Sequence, residues 1–146
     1  MERDPAIVEL DRFVPRAPAT VWRALTEPDI VEQWLVRSVG LRPAEGTTFI
    51  LEIPSDPPGE VSCEVINAVP AERFTHSYTD LRAPRPARWI VDWRLVPEGK
   101  GTRVVMTMSG FDAGDRKQMF ARNAVERGYR NTLIPKLADA ALALDV

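Results

Sequence analysis

The sequence predicts an α+β fold: a curved antiparallel sheet wrapped around one long C-terminal helix, with two short helices after the first strand. Three observations predict it. Five successive stretches between residues 46 and 111 alternate apolar with polar residues and are joined by turn residues. The tail, about residues 114–144, repeats apolar residues every fourth position. The segment ATVWRALTEPDIVEQWL, residues 19–35, has helical spacing on both sides of a proline. One long helix cannot cover both faces of a flat meander. A sheet that curls around it buries the helix and the inner apolar face together.

The elements follow in order. Residues 6–14 read as a strand with Ile7, Glu9, Asp11 and Phe13 on one face and Val8, Leu10, Arg12 and Val14 on the other. Pro18 suits a first helical turn, where its missing N–H costs nothing. Val21 and Leu25 share a face of that helix, and Ile30 and Trp34 share a face of the next. Thr26-Glu27-Pro28-Asp29 has the form of a capping box for the second helix. So the proline divides two short helices set at an angle, placed to fill the open end of the sheet. The strands at 46–54, 59–69, 72–80, 87–96 and 101–111 each align one apolar face. These faces carry Phe49, Leu51 and Ile53; then Val61, Cys63 and Val65; then Phe74, His76 and Tyr78. Trp89, Val91, Trp93 and Leu95 follow, with Val104, Met106 and Met108 last. In the tail, Val125, Tyr129, Leu133 and Leu137 form the stripe. Pro135 predicts a kink near Asn131, whose carbonyl it would meet.

Length and composition narrow the function. The 146 residues suit a single domain, 1–146, with a core of its own. A net charge of −2 argues against nucleic acid, which requires a basic surface. One cysteine, Cys63, allows no internal disulfide, and MERDPAIVEL lacks the apolar run of a signal peptide. No stretch is apolar enough over about 20 residues to span a bilayer. A cytoplasmic location is expected.

Three blocks carry a family resemblance: VWRALTEPDIVEQWL, then GTRVVMTMSGF, then GYRNTLIPKLADA. Together they resemble the START-like, or SRPBCC, superfamily, and more narrowly the homologues of the activator of the heat-shock-protein-90 ATPase. The resemblance runs through nearly the whole chain. It implies a helix-grip fold with a cavity between sheet and helix. It also implies binding of hydrophobic molecules such as lipids or polyketides, cyclase or aromatase chemistry in some members, and a chaperone partner with a stress-response role in others. Relatives often carry histidine where this chain has Met108, and Gly-Trp where it has Gly128-Tyr129. That change makes the expected pocket more apolar.

The residues themselves offer little chemistry beyond binding. One histidine and one cysteine cannot make an ordinary zinc site, so no metal and no cofactor is expected. Cys63 alternates with valines and reads as a small buried hydrophobe. His76, between Phe74 and Tyr78, would place a polar group in an apolar cavity, where few such groups fix a ligand's orientation. It is also the one candidate catalytic base, in a cyclase- or aromatase-type enzyme, but no carboxylate is spaced to orient it. The expected ligand contacts are Trp34, Phe49, Phe74, His76, Tyr78, Trp93, Met106, Met108 and Tyr129. Gly128 in mid-helix costs about 1 kcal/mol relative to alanine, which close approach to the sheet or space left for a ligand would offset. The arginine-rich loop TDLRAPRPAR, residues 79–88, could gate an entrance or face a partner. The partner expected first is a hydrophobic small molecule. A chaperone or other protein partner, and a homodimer, stay open.

Overall fold

Alternation builds the sheet. In the computed structural model, which describes residues 4–144, seven antiparallel strands run in the order β1-β7-β6-β5-β4-β3-β2. They are β1 (Val8–Val14), β2 (Ser38–Val39), β3 (Thr48–Ile53), β4 (Gly59–Val69), β5 (Arg73–Asp80), β6 (Trp89–Glu98) and β7 (Gly101–Ser109). The five strands expected after residue 46 form a meander, and β1 returns to pair with β7, Leu10 opposite Met106. Most of the predicted inner faces are buried: Phe49 and Leu51, Val61 to Val65 in alternation, Phe74 and His76, Val91 to Leu95 in alternation, Met106 and Met108; Ile53, Tyr78 and Trp89 are half-buried, and on β5 Thr75 and Ser77 of the other face are buried too. On β1 the face Val8, Leu10, Val14 turns inward. A register shift between Val65 and Asn67 bulges β4 against β5 and adds to the bend of the sheet. At the β7 start a Cβ on Gly101 would lie 2.5 Å from the Val14 carbonyl oxygen, so only glycine lets β1 and β7 close this tightly.

The proline-divided segment gives α1 (Pro18–Thr26) and α2 (Pro28–Trp34), each with proline in its first turn. The capping box does not form. Thr26 lies inside α1 and its hydroxyl donates to the Trp22 carbonyl at 2.7 Å, leaving Glu27 as the N-cap of α2 with no side-chain cap. A single linking residue leaves Thr26 helical, where back-bonding four residues earlier is its nearest option. Trp34 ties the pair by donating its indole N–H to the Ala24 carbonyl at 2.7 Å.

The C-terminal helix has two unlike halves, α3 (Arg116–Gly128) and α4 (Ile134–Leu142), joined by a π-helical turn at Tyr129–Leu133. The irregularity expected from Pro135 takes this form. The Ile134 N–H donates to the Tyr129 carbonyl, five residues back, and the widened turn accommodates a residue that cannot donate. Ile134, Leu137, Ala138, Ala140 and Ala141 of α4 are buried, whereas α3 buries none of its residues. The apolar stripe is therefore core only from Tyr129 onward; Val125 and Leu133 are half-buried. A Cβ on Gly128 would meet nothing within 4 Å, so close approach to the sheet is not what the glycine permits. Among the described residues no helix is long and apolar enough to cross a membrane.

Candidate ligand-binding site

Two spaces flank the inner face of β5. The inner one is a cavity of about 20 Å³ beneath α1 and α2. Six of the nine expected contacts surround it: Trp34, Phe49, Phe74, His76, Trp93 and Tyr129. Their rings interlock edge to face, Trp34 with Trp93 at 5.8 Å and Phe49 with His76 at 5.2 Å between centroids. This volume accommodates about one water-sized group. The chamber expected between sheet and helix is thus narrow at its heart, because two indoles and a phenol occupy it. Met106 and Met108 have no exposed surface and line neither space; β7 lies between β1 and β6, and both side chains pack in the core.

His76 is 7% exposed and its Nδ1 lies 2.8 Å from the Ser77 carbonyl oxygen. A carbonyl only accepts, so Nδ1 carries the proton and Nε2 presents a lone pair. Burial lowers the His76 pKa to about 4, against a smaller upward pull from the Ser77 hydrogen bond. The ring is neutral near pH 7 and serves as an acceptor. A group so reluctant to take a proton is a poor general base at that pH. Burial pushes the Cys63 thiol up to about 12 and the Tyr129 phenol upward too, so both stay protonated. Among the described residues no group of three or more His, Cys, Asp or Glu side chains is placed to hold a metal ion.

The outer space is roomier, about 590 Å³, between the first turns of α3 and the β5–β6 loop. Trp89 forms its floor, Ala83, Pro84, Arg85 and Ala87 one wall, and Lys117, Gln118 and Ala121 the other. The indole is held from three sides. It stacks on Phe111 at 4.5 Å and on Tyr78 at 6.2 Å, and its N–H donates to Gln118 Oε1 at 3.3 Å. Asp115 caps α3 by accepting from the Lys117 and Gln118 N–H groups. Arg82 braces the loop, bonding Asp80 at 2.7 Å and reaching Ser55 at 3.2 Å. These bonds hold the Asp80 carboxyl below the usual carboxylate range. Tyr78, half-buried, lines neither space: it pairs across the sheet with Trp89, which floors the outer one, and His76, on the wall of the inner one, is the next inner-face residue along β5. Burial, then the Asp80 charge, pushes its phenol up to about 12.

The sequence pattern flagged the loop and Trp89 but not Lys117, Gln118 or Ala121. A signal was there. RKQMFARNA, residues 116–124, has only Met119 and Phe120 as large apolar residues, too few for a buried helical face.

The comparisons agree with the geometry. A solved structure of MLL2253 from Mesorhizobium loti is 27% identical over 96% of this chain and 99% of that one, with a TM-score of 0.82. CV1439 from Chromobacterium violaceum shares the fold at 19% identity and TM-score 0.79, over 94% and 98% of the two chains. DynU16, from the dynemicin biosynthetic locus, matches at 18% identity and TM-score 0.80, this chain spanning 48% of its length and aligning over 97% of its own. No functionally curated protein matches the sequence. The model of one family, described as Activator of Hsp90 ATPase homolog 1-like protein, matches residues 15–140. With the curved sheet closed on a C-terminal helix, that match places the chain in this family, within the START-like, SRPBCC superfamily.

Proposed function

We propose that the protein binds an apolar or aromatic small molecule in its grip, admitted between α3 and the β5–β6 loop. One observation carries the reading: α3 spans thirteen residues beside the concave face and buries none of them, next to a pocket of about 590 Å³ with an indole floor. That volume is within the range of small-molecule sites, about 300–1,000 Å³. A two-ring ligand burying about 250 Å² at ~25 cal/mol per Å² would gain about 6 kcal/mol of transfer free energy, from which the freedom lost on association is subtracted.

The test is titration with lipids, flavonoids and polyketide-like aromatics, read by tryptophan fluorescence and thermal shift. Quenching that disappears in Trp89→Ala supports the reading. No quenching and no thermal shift with any compound refutes it.

A protein-interaction role has one feature in its favour, Phe120, which is 73% exposed on α3. Stimulation of the heat-shock ATPase by the protein, lost in Phe120→Ala, is the outcome that role requires.

A further inference from the structure

Three polar tips on the inner cavity wall lack partners. His76 Nε2 is an acceptor, the Trp93 indole N–H is a donor, and the Tyr129 hydroxyl is both. The three residues are 7%, 3% and 7% exposed. None of the three atoms has a hydrogen-bond partner among the described residues, whereas the indoles of Trp34 and Trp89 bond Ala24 and Gln118. Among the described residues the fully enclosed side-chain polar atoms without a partner are elsewhere, Arg16 Nε, Ser38 Oγ and Arg122 Nε. The three tips therefore keep contact with water-sized space, and all three residues line the same cavity of about 20 Å³. With no protein partner, each tip is left to whatever group enters that space, water or ligand, and a ligand that matches all three gains what it would lose to an apolar wall.

The chemistry of that group follows from the set. Around the cavity the remaining side chains are apolar, with no cation or carboxylate. A carboxylate would lose its hydration without a counter-charge, and it could not donate to His76 Nε2. An ammonium could not accept from Trp93. A hydroxyl does both and fits the volume. We propose that the inner cavity recognises a neutral hydroxyl at the end of an apolar ligand, a phenol or a long-chain alcohol. This rests on the reading that the grip binds a small molecule. The geometry permits one ligand to reach both spaces. His76 lies two residues along β5 from Tyr78, which faces Trp89, a step of about 7 Å at ~3.4 Å per residue. A two-ring body spans it once Tyr78 turns aside, and the Tyr78 hydroxyl has no hydrogen bond among the described residues to hold it.

The experiment compares 2-naphthol, naphthalene and 2-naphthoate, with 1-nonanol as the aliphatic alcohol, by calorimetry. It adds nitrogen NMR of the imidazole, which is unambiguous because the chain has one histidine. The expected result is naphthol binding about ten-fold tighter than naphthalene, from one or two added hydrogen bonds, with naphthoate weaker than both. The Nε2 resonance should shift as an acceptor's does. Tyr129→Phe, which removes one oxygen, should cut the naphthol advantage and spare naphthalene. Nonanol moving the Nε2 resonance while naphthol does not assigns the site to aliphatic alcohols; the converse assigns it to phenols. Equal binding of naphthol and naphthalene with Nε2 unmoved overturns the hydroxyl site and leaves the grip a binder. Binding of none of the probes overturns both.

Discussion

Acidification from pH 7 to pH 5 should destabilise the protein chiefly through His76. In the fold the ring is buried, and its pKa falls from 6.5 to about 4. The neutral form is the one the fold accepts. The unfolded chain therefore binds the proton first, and stability is complete above about pH 6.5 and declines as pH falls toward 4. At 1.36 kcal/mol per pH unit the full loss is about 3 kcal/mol, of which about 2 kcal/mol has gone by pH 5. The window is clean for two reasons. No other histidine titrates in it. Asp80 and Asp92, held low by Arg82 and by Arg73, Thr75 and Arg94, lose their contributions only below the ordinary aspartate value of 3.8, and the exposed Glu98, held low by Arg103, begins to lose its own only near its ordinary value of 4.5. Urea unfolding at pH 7, 6 and 5 measures the slope. His76→Gln keeps a polar side chain of similar reach but does not titrate, so its stability should be nearly level over the same range. Parallel slopes for the two proteins would show that the imidazole is not buried in neutral form, and the assignment of Nε2 as an acceptor would fall with it.

Other expectations follow from single contacts. Gly101→Ala should cost about 1–3 kcal/mol in urea unfolding, because its Cβ meets the Val14 carbonyl oxygen at 2.5 Å, backbone that cannot step aside; a change near zero would mean that β1 and β7 are less tightly joined. Cys63, buried and with its thiol pushed up to about 12, should resist alkylation at pH 8 until the protein unfolds, so labelling should track the unfolding rate; rapid labelling of the native state would place it at a surface. Arg122→Met removes the hydrogen bond from α3 to the Ile7 carbonyl at 2.8 Å and the Glu126 pair at 2.9 Å. Amide exchange should then quicken about ten-fold in α3 and stay unchanged in α4; equal acceleration of both halves would show that they open as one unit.

How much of this was legible in the sequence depended on the kind of force involved. Period-two alternation from Phe49 to Met108 revealed the inner faces, since a half-buried strand has no other solution. The two prolines at 18 and 28 marked the helix starts because each is tolerated there and nowhere later. Strand β2, two residues long, is too short to alternate and was invisible. The capping box failed because a hydroxyl has two local partners to choose from, and only the backbone path decides between them. The aromatic residues around His76 could be assigned to one face, yet not to a filled or an open interior. That depends on how three rings from α2, β6 and the π-helical turn interlock, a matter of packing between elements distant in the chain.

The helix carries the last step. Its repeat of four predicted a single buried rod, but burial begins only at Tyr129, where the π-helical turn inserts extra backbone ahead of Pro135. An added residue rotates everything before it relative to everything after it, so one apolar stripe cannot face the sheet along both halves. The half after the turn buries Leu137, Ala138 and Ala141 and closes the core against α1. The half before it is held at its margin by Arg122 and stands beside open space. Proline in a core helix is destabilising unless the irregularity it imposes is accommodated. Here the irregularity divides the rod into a portion that secures the fold and a portion left free to border a pocket. Tyr129, the first residue of the turn, lines the inner cavity, so the backbone departure and the polar tips meet at one point of the chain.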